Sequence, residues 1–322
     1  MTQLVTVFGA TGAQGGSLAR AALADPDRRF RVRAVTRRPD SPAARQLARS
    51  GAEVFRADLD DAASVQRAMQ GAGAAFCVTN FWEHRCPEKE FAQARTMAQA
   101  AASAGVRHAI WSTLEDTRDF FPADGQRMPA PQGRYNVPHF DGKGEANRCF
   151  IDSGVPTTLL YTSFYWDNLV HFGMAPKRRL DGTLAFLLPM ADRRLPGIAA
   201  EDIGRCAFGI LSRGTELAGK SIGIAGEHLT GAQMARQLSL ALGETVAHEA
   251  LSPEQYRALD FPGADDLGNM FQFKRDFEHA YCAARSVDCS RELNPQLQTF
   301  AAWLTAHRVL LRRAVGLEAQ AA

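Results

Sequence analysis

The sequence predicts a doubly wound α/β fold, a parallel sheet wrapped by helices, followed by a smaller α/β lobe. Three observations predict it. Short apolar runs alternate with helical segments through the first half of the chain. Strands separated by helices in this way pair in parallel through right-handed crossovers. The first such run, Leu4 to Phe8, leads into a glycine-rich turn, FGATGAQGGS, and then into an alanine-rich stretch. After residue 162 the alternation weakens, which sets the expected boundaries: a main domain over 1–162, a smaller lobe over 163–311 interleaved with it, and a tail over 312–322.

The elements follow in order. A helix is expected over Ala13 to Ala24, ended by Asp25-Pro26, and a strand over Phe30 to Thr36. Ser41-Pro42 opens a helix with a capping side chain and then proline at the first helical position. Ala52 to Phe55 reads as strand. Asp60 or Asp61 caps a helix reaching Gln70, Ala74 to Thr79 is strand, and Pro87 to Ala104 is a long helix closed by Gly105. His108 to Ser112 and Thr157 to Tyr161 are strands on either side of a helix from Phe140 to Asp152. The segment from Leu114 to Pro138 has no periodicity, and long loops of this kind are functional or mobile. In the second lobe, helices are expected over Thr230 to Leu242, Ser252 to Leu259 and Asn294 to Leu311, with a short strand at Ile222 to Ile224.

Composition narrows the function. Of 322 residues, 46% are hydrophobic and 22% charged, enough apolar material for a large core without metal or disulfide staples. The net charge of +2, with no basic stripe or recognition helix, argues against direct nucleic-acid binding. No run approaches the roughly 18 apolar residues of a membrane helix. Six scattered cysteines form no CxxC or zinc pattern, and no histidine group has metal spacing, so reduced thiols and a cytoplasmic location are expected. No GxSxG nucleophile elbow occurs.

The turn Gly9, Ala10, Thr11, Gly12, Ala13, Gln14, Gly15 carries glycines three apart. The first permits a tight turn at the strand exit, the second lets backbone approach a pyrophosphate, and the third lets helix pack on strand. The helix N-terminus offers N–H groups and the positive end of a dipole to the phosphates. A strand before and a helix after make this a dinucleotide site rather than a merely structural turn. NAD binders place an acid at the end of the second strand, on the ribose 2′-hydroxyl. Thr36 stands there instead, followed by Arg37 and Arg38. A guanidinium grips a 2′-phosphate with paired charge-assisted bonds, so the expected cofactor is NADP(H). Asp58 and Leu59, after the third strand, fall beside the adenine. Thr79, Asn80, Phe81 and Trp82, after the fourth, fall near the nicotinamide half.

GATGAQG, the Thr36-Arg37 strand end, TNFWE at 79–83, HFDGKGE at 139–145 and FPGADDLGNMFQF at 261–273 together resemble the NmrA-like, HSCARG-type branch of the atypical short-chain dehydrogenases. The similarity runs from residue 3 to about 305. It implies a Rossmann domain that binds NADP(H) and a small C-terminal domain. It also implies one of two roles, a redox sensor that regulates other proteins or a reductase of quinones or carbonyls. By the same resemblance, Thr162, Ser163, Phe164 and Tyr165 join the cofactor contacts, as do Glu83 and Lys143. The chain departs from the branch at Ser163, where proline is frequent, and at Ala92, where lysine is frequent.

Catalysis is the open point. Short-chain dehydrogenases use Tyr-x-x-x-Lys on one helix face, the lysine lowering the tyrosine pKa and binding the ribose. Here the register reads His139-Phe140-Asp141-Gly142-Lys143. Lysine is present and tyrosine is not. Tyr135 lies upstream, with Pro138 between it and the helix. Three readings stand: Lys143 binds ribose in a sensor that lacks a proton donor; His139 or Tyr135 donates the proton in a reductase; or these residues are structural. Phe164, Tyr165, Trp166, Phe81 and Trp82 form either an apolar slot for a substrate ring, with Asn168 supplying an amide, or simply core. The expected partners are NADP(H), a regulatory protein or a small quinone or carbonyl substrate, with the chain a monomer or homodimer.

Overall fold

The computed structural model describes residues 2–121 and 128–317. The chain forms two compact units. The first comprises residues 1–162, 201–223 and 292–295, and the second 163–200, 224–291 and 296–322.

The first unit is built on a parallel seven-stranded sheet. In chain order it contains β1 (Gln3–Val7), α1 (Ala13–Leu23), β2 (Phe30–Thr36), α2 (Pro42–Arg49), β3 (Glu53–Arg56), α3 (Ala62–Met69) and β4 (Ala74–Cys77). It continues with α4 (Phe81–His84), α5 (Pro87–Ser103), β5 (His108–Thr113), α6 (Pro138–Asp152) and β6 (Thr157–Tyr161). The sheet order is Ser221–Gly223, β6, β5, β4, β1, β2, β3. The chain therefore winds outward from β1 in one direction to β3, then resumes at β4 and winds outward in the other. The switch falls between β1 and β4, and open α/β sheets bind ligands in the crevice at that place.

Local chemistry explains the element starts. Ser41 accepts a hydrogen bond from Ala44 N at 3.3 Å and Pro42 begins α2. Of the two candidate caps for α3, Asp61 is the one used, accepting from Ala63 N and Ser64 N. Pro138 opens α6, so the helix takes in His139 and Lys143 together. The core under the sheet includes Phe8, Val65, Met69, Met97, Trp111 and Phe150, with Trp111 and Phe150 stacked at 4.9 Å between centroids.

Two expectations, the sheet to which one strand belongs and the start of one helix, are corrected, and two further features are new. The strand assigned to the second lobe, observed as Ser221–Gly223, pairs in parallel with β6 and completes the main sheet. A helix over Ala200–Ser212 also belongs mostly to the first unit. Asn294 does not start a helix: its side-chain amide donates to the buried Asp202 at 2.9 Å, and the next helix begins at Phe300 under a Thr299 cap. The end of that predicted helix is divided into Phe300–Ala306 and Arg308–Ala314, so helix extends past Leu311. The rest of the expected tail, 318–322, and part of the expected mobile loop, 122–127, lie outside the described residues.

The second unit has two three-stranded sheets. One places Arg194–Ile198 between Glu227–Thr230 and Phe164–Tyr165, and the other places Leu184–Leu187 between Val246–Glu249 and Lys177–Arg178. The helix Gly231–Leu242 begins with a reciprocal capping box between Thr230 and Gln233. Trp166, Phe300 and Trp303 form an aromatic core, with Trp166 at 5.3 Å from Phe300 and 6.5 Å from Trp303. No helix among the described residues is long and apolar enough to cross a membrane.

Candidate functional site

The glycine turn connects β1 to α1 at the carboxyl end of the sheet. Gly9 has φ of +63°, the left-handed region that a side chain disfavours. A Cβ on Gly15 would lie 2.6 Å from the carbonyl oxygens of both Phe8 and Gly9, so only glycine lets α1 sit this close to the turn. A Cβ on Gly12 would meet the Gly9 oxygen at 3.2 Å, a tight but bearable contact. Gly12 is also the N-cap of α1, and it caps without a side-chain bond. The first helical turn holds no acidic residue, so nothing offsets the positive end of the dipole. Gln14 is fixed from behind by Ser112, whose hydroxyl donates to Oε1 at 2.7 Å. A narrow backbone cradle at a helix N-terminus fits a pyrophosphate.

At the end of β2, Thr36 Oγ1 accepts from Arg38 N at 3.2 Å. Arg38 is exposed and forms no ion pair among the described residues. Arg37 is engaged: its guanidinium binds the Glu83 carboxylate through both nitrogens, the second contact at 2.9 Å. After β3, the Asp58 carboxylate accepts from Asp60 N at 3.0 Å, and Leu59 is half-buried beside it. Asp60 itself binds Lys89 at 2.7 Å and Gln93 at 2.8 Å.

After β4 the chain turns at Asn80 into α4, which buries Phe81 and packs it edge-on to Trp82 at 5.6 Å. His139 lies against this pair, 5.0 Å from the Trp82 ring and 6.0 Å from Phe81, with only 6% of its surface exposed. Histidine thus fills the tyrosine register as one member of an aromatic cluster.

Lys143 belongs to a buried polar network. Its ammonium group lies 2.6 Å from Glu90 Oε1, donates to Thr79 Oγ1 at 2.6 Å and stands 5.1 Å over the Trp111 ring. The Thr79 hydroxyl in turn donates to Glu90 Oε1 at 2.5 Å. His84 Nε2 approaches the other Glu90 oxygen at 3.4 Å. Burial alone would raise the Glu90 carboxyl. The Lys143 charge and the bonds from His84, Lys143 and Thr79 overcome it and lower it to about 2. Sequence reading named Thr79 and Lys143 but missed Glu90. The signal was available, because Glu90 falls on the stripe of α5 that carries Ala94, Met97, Ala98 and Ala101, and a carboxylate inside an apolar stripe needs a partner.

Tyr135 lies in the loop before Pro138, as expected, but does not fit the proton-donor reading. Its hydroxyl accepts from Arg134 at 2.7 Å and donates to Glu145 at 3.3 Å, with Arg118 and Arg134 over the ring. Burial first, then the Glu145 charge, raises its pKa. The phenol is a weakened acid committed to a structural cluster. A second buried carboxyl on α6, Asp141, is pushed up to about 6 by burial, against hydrogen bonds from Thr117 and Val137.

Thr162 follows β6 as a buried residue of the first unit. The remaining predicted contacts lie in the second unit. Ser163 donates its hydroxyl to the Ile224 carbonyl, and the Phe164 ring packs 6.3 Å from Phe271, with Tyr165 half-buried next to it. Trp166 is core, enclosed with Phe300 and Trp303, and is unavailable as a slot wall. Thr113, whose hydroxyl donates to Asn147 at 2.7 Å, serves as scaffold.

A glycine cradle at the switch point of a doubly wound parallel sheet defines a Rossmann-fold chain. The particular family is shown by its profile: that of the NmrA-like family matches residues 1–304, and the chain belongs to it. The chain is 28% identical over 314 residues to the NmrA-like family domain-containing oxidoreductase FrzB of Cladobotryum sp, covering 91% of this chain and 90% of the relative. Among solved structures it is similar to NmrA, a negative transcriptional regulator. The NAD complex of NmrA gives a TM-score of 0.80 at 23% identity over 98% of both chains, and the NADP complex 0.77 at 22% over 94% of both. It is also similar to an NADPH-dependent quinone oxidoreductase of Escherichia coli, with a TM-score of 0.69 at 21% identity over 94% of this chain and 98% of that one. At these identities the structural likenesses show the fold.

Proposed function

We propose that this chain binds NADP(H) in its glycine cradle and acts as a redox sensor, passing the state of the cofactor to a protein partner. The observation that carries the cofactor reading is the cradle, where a Cβ at Gly15 would strike two backbone carbonyls and α1 presents an unopposed N-terminus. NmrA, similar in fold, has been crystallised with NADP and with NAD. NADP(H) is favoured here by Thr36 in the place of an acid and by Arg37 and Arg38 after it. Backbone groups of Gly9 to Gly15 hold the pyrophosphate, Asp58 and Leu59 flank the adenine, and Lys143 holds the nicotinamide ribose.

When bound, the nicotinamide ring supplies or accepts a hydride. The chain's own residues offer little for the accompanying proton. His139 is packed among aromatic rings and the Tyr135 phenol is tied to Glu145. That deficit supports sensing over turnover. A sensor needs different cofactor affinity in two conformations, with the partner reading the difference. In this reading the first unit holds the cofactor and the second carries the partner surface.

A second reading, an NADPH-dependent reductase of quinones or carbonyls, is favoured by the oxidoreductase name of the Cladobotryum relative and by the half-buried Trp82 ring after β4. Quinones ask mainly for ring orientation, not for a strong protein acid. NADPH consumption measured over a panel of quinones and small carbonyls, with Lys143→Ala as control, separates the two. Tight NADPH binding without turnover supports the sensor. Saturable turnover above about 1 s⁻¹, lost in the variant, overturns it.

A further inference from the structure

Directly after β2, Arg37 stands ready for a 2′-phosphate, but the fork between its two terminal nitrogens is already filled. Both of its terminal nitrogens meet the two carboxylate oxygens of Glu83, 46 residues further along the chain. This fork-on-fork geometry is the one arginine uses to bind phosphate. Glu83 is held at this place by its element: Phe81 is buried under α4, and Arg85, with φ of +52°, ends the helix directly afterwards. The surroundings add to the negative charge. The Arg37 guanidinium is raised first by its hydrogen bonds with Glu83, against burial, then by the charges of Glu83, Asp58 and Asp60. The pair is open to exchange, since Arg37 is 56% and Glu83 44% exposed.

We propose that Glu83 is a specificity-determining residue, an internal carboxylate on the terminal-nitrogen fork of Arg37 that a 2′-phosphate must displace or share the guanidinium with, while a 2′-hydroxyl need not. The acid missing from the end of β2 is thus supplied in space from α4. The effect is to level the two cofactors, weakening NADP(H) relative to NAD(H) below what Arg37 alone would give. This inference rests on the cofactor reading above and names what tunes it.

The test is the ratio of dissociation constants for NADH and NADPH, measured by titration of wild-type protein, Glu83→Gln, Arg37→Gln and the double variant. The fragments 5′-AMP and 2′,5′-ADP give the same ratio without the nicotinamide. Glu83→Gln is expected to shift the ratio toward NADPH by about two- to fivefold, the range spanned by an exposed ion pair. Arg37→Gln shifts it toward NADH and makes the Glu83 substitution silent. A ratio unmoved by Glu83→Gln, or a Glu83 effect that persists without Arg37, overturns the inference while leaving the cofactor reading intact. Wild-type protein that binds neither nucleotide overturns the cofactor reading and the inference together.

Discussion

Glu90 and Lys143 hold each other in place, and removing one charge tests this. The Glu90 side chain is fully buried and that of Lys143 is 12% exposed, with 2.6 Å between their charged atoms. Glu90→Gln keeps the shape and one acceptor oxygen but removes the negative charge that balances the buried ammonium. Two routes give the size of the loss. Deleting one member of a buried pair costs about 3–5 kcal/mol. The Glu90 carboxyl falls from 4.5 to about 2 on folding, and at about 1.4 kcal/mol per pH unit that is roughly 3 kcal/mol. The sign follows from linkage: a carboxyl depressed in the folded state adds stability above its unfolded value near 4.5, and that stability is lost as pH falls through about 2. Urea unfolding of wild-type, Glu90→Gln, Lys143→Met and the double variant is the assay. At pH 7 each single variant is expected to lose about 3 kcal/mol, and the double to lose less than the sum by at least about 2 kcal/mol. The difference between wild type and Glu90→Gln should shrink as pH is lowered from 4.5 toward 2, and taking the difference cancels the opposite trend of Asp141. Additive losses, with coupling under about 0.5 kcal/mol, would refute the reasoning.

Three further outcomes are expected. Tyr135→Phe should leave NADPH affinity, and any turnover found, within about twofold, since the phenol serves Glu145; a loss of about a hundredfold, within the range of a lost general acid, would restore it as proton donor. Gly204→Ala should destabilise the first unit by about 2–3 kcal/mol or more in chemical denaturation, because a Cβ there would lie 2.3 Å from Leu18 N on α1; a variant as stable as wild type would mean that the two helices do not pack so closely. Asp61→Ala should cost about 1 kcal/mol through loss of the α3 cap, by the same measurement, and an unchanged midpoint would remove Asp61 from that role.

How much of this was legible in the sequence depended on range. Strands β1 to β6 and helices α1 to α3, α5 and α6 were readable because most are bounded by local punctuation, such as Asp25-Pro26, Ser41-Pro42 and Gly105. The glycine cradle was readable for the same reason. The last strand of the main sheet was readable as a strand, but its place in that sheet was not, because Ser221 follows Tyr161 only after an excursion through the second unit. The helix Ala200–Ser212 was hidden by Gly204 and Gly209, which lower helix propensity but allow close approach to α1 and to Leu293. In the site, the types of Lys143 and Arg37 were legible and their partners were not. Glu90 and Glu83 reach them across the fold, and one-dimensional spacing does not report such pairings.

Titration of the purified protein with NADPH, alongside Gly12→Val, is the most direct test of the central claim. Gly12 has extended backbone that accepts a side chain, and its Cβ would meet only the Gly9 carbonyl, so the variant should fold. It would nevertheless place methyl groups where a pyrophosphate must approach the backbone. The account predicts saturable NADPH binding by the wild-type protein and its loss in a folded Gly12→Val. Wild-type protein that fails to bind NADPH, or a variant that binds it equally well, would contradict it.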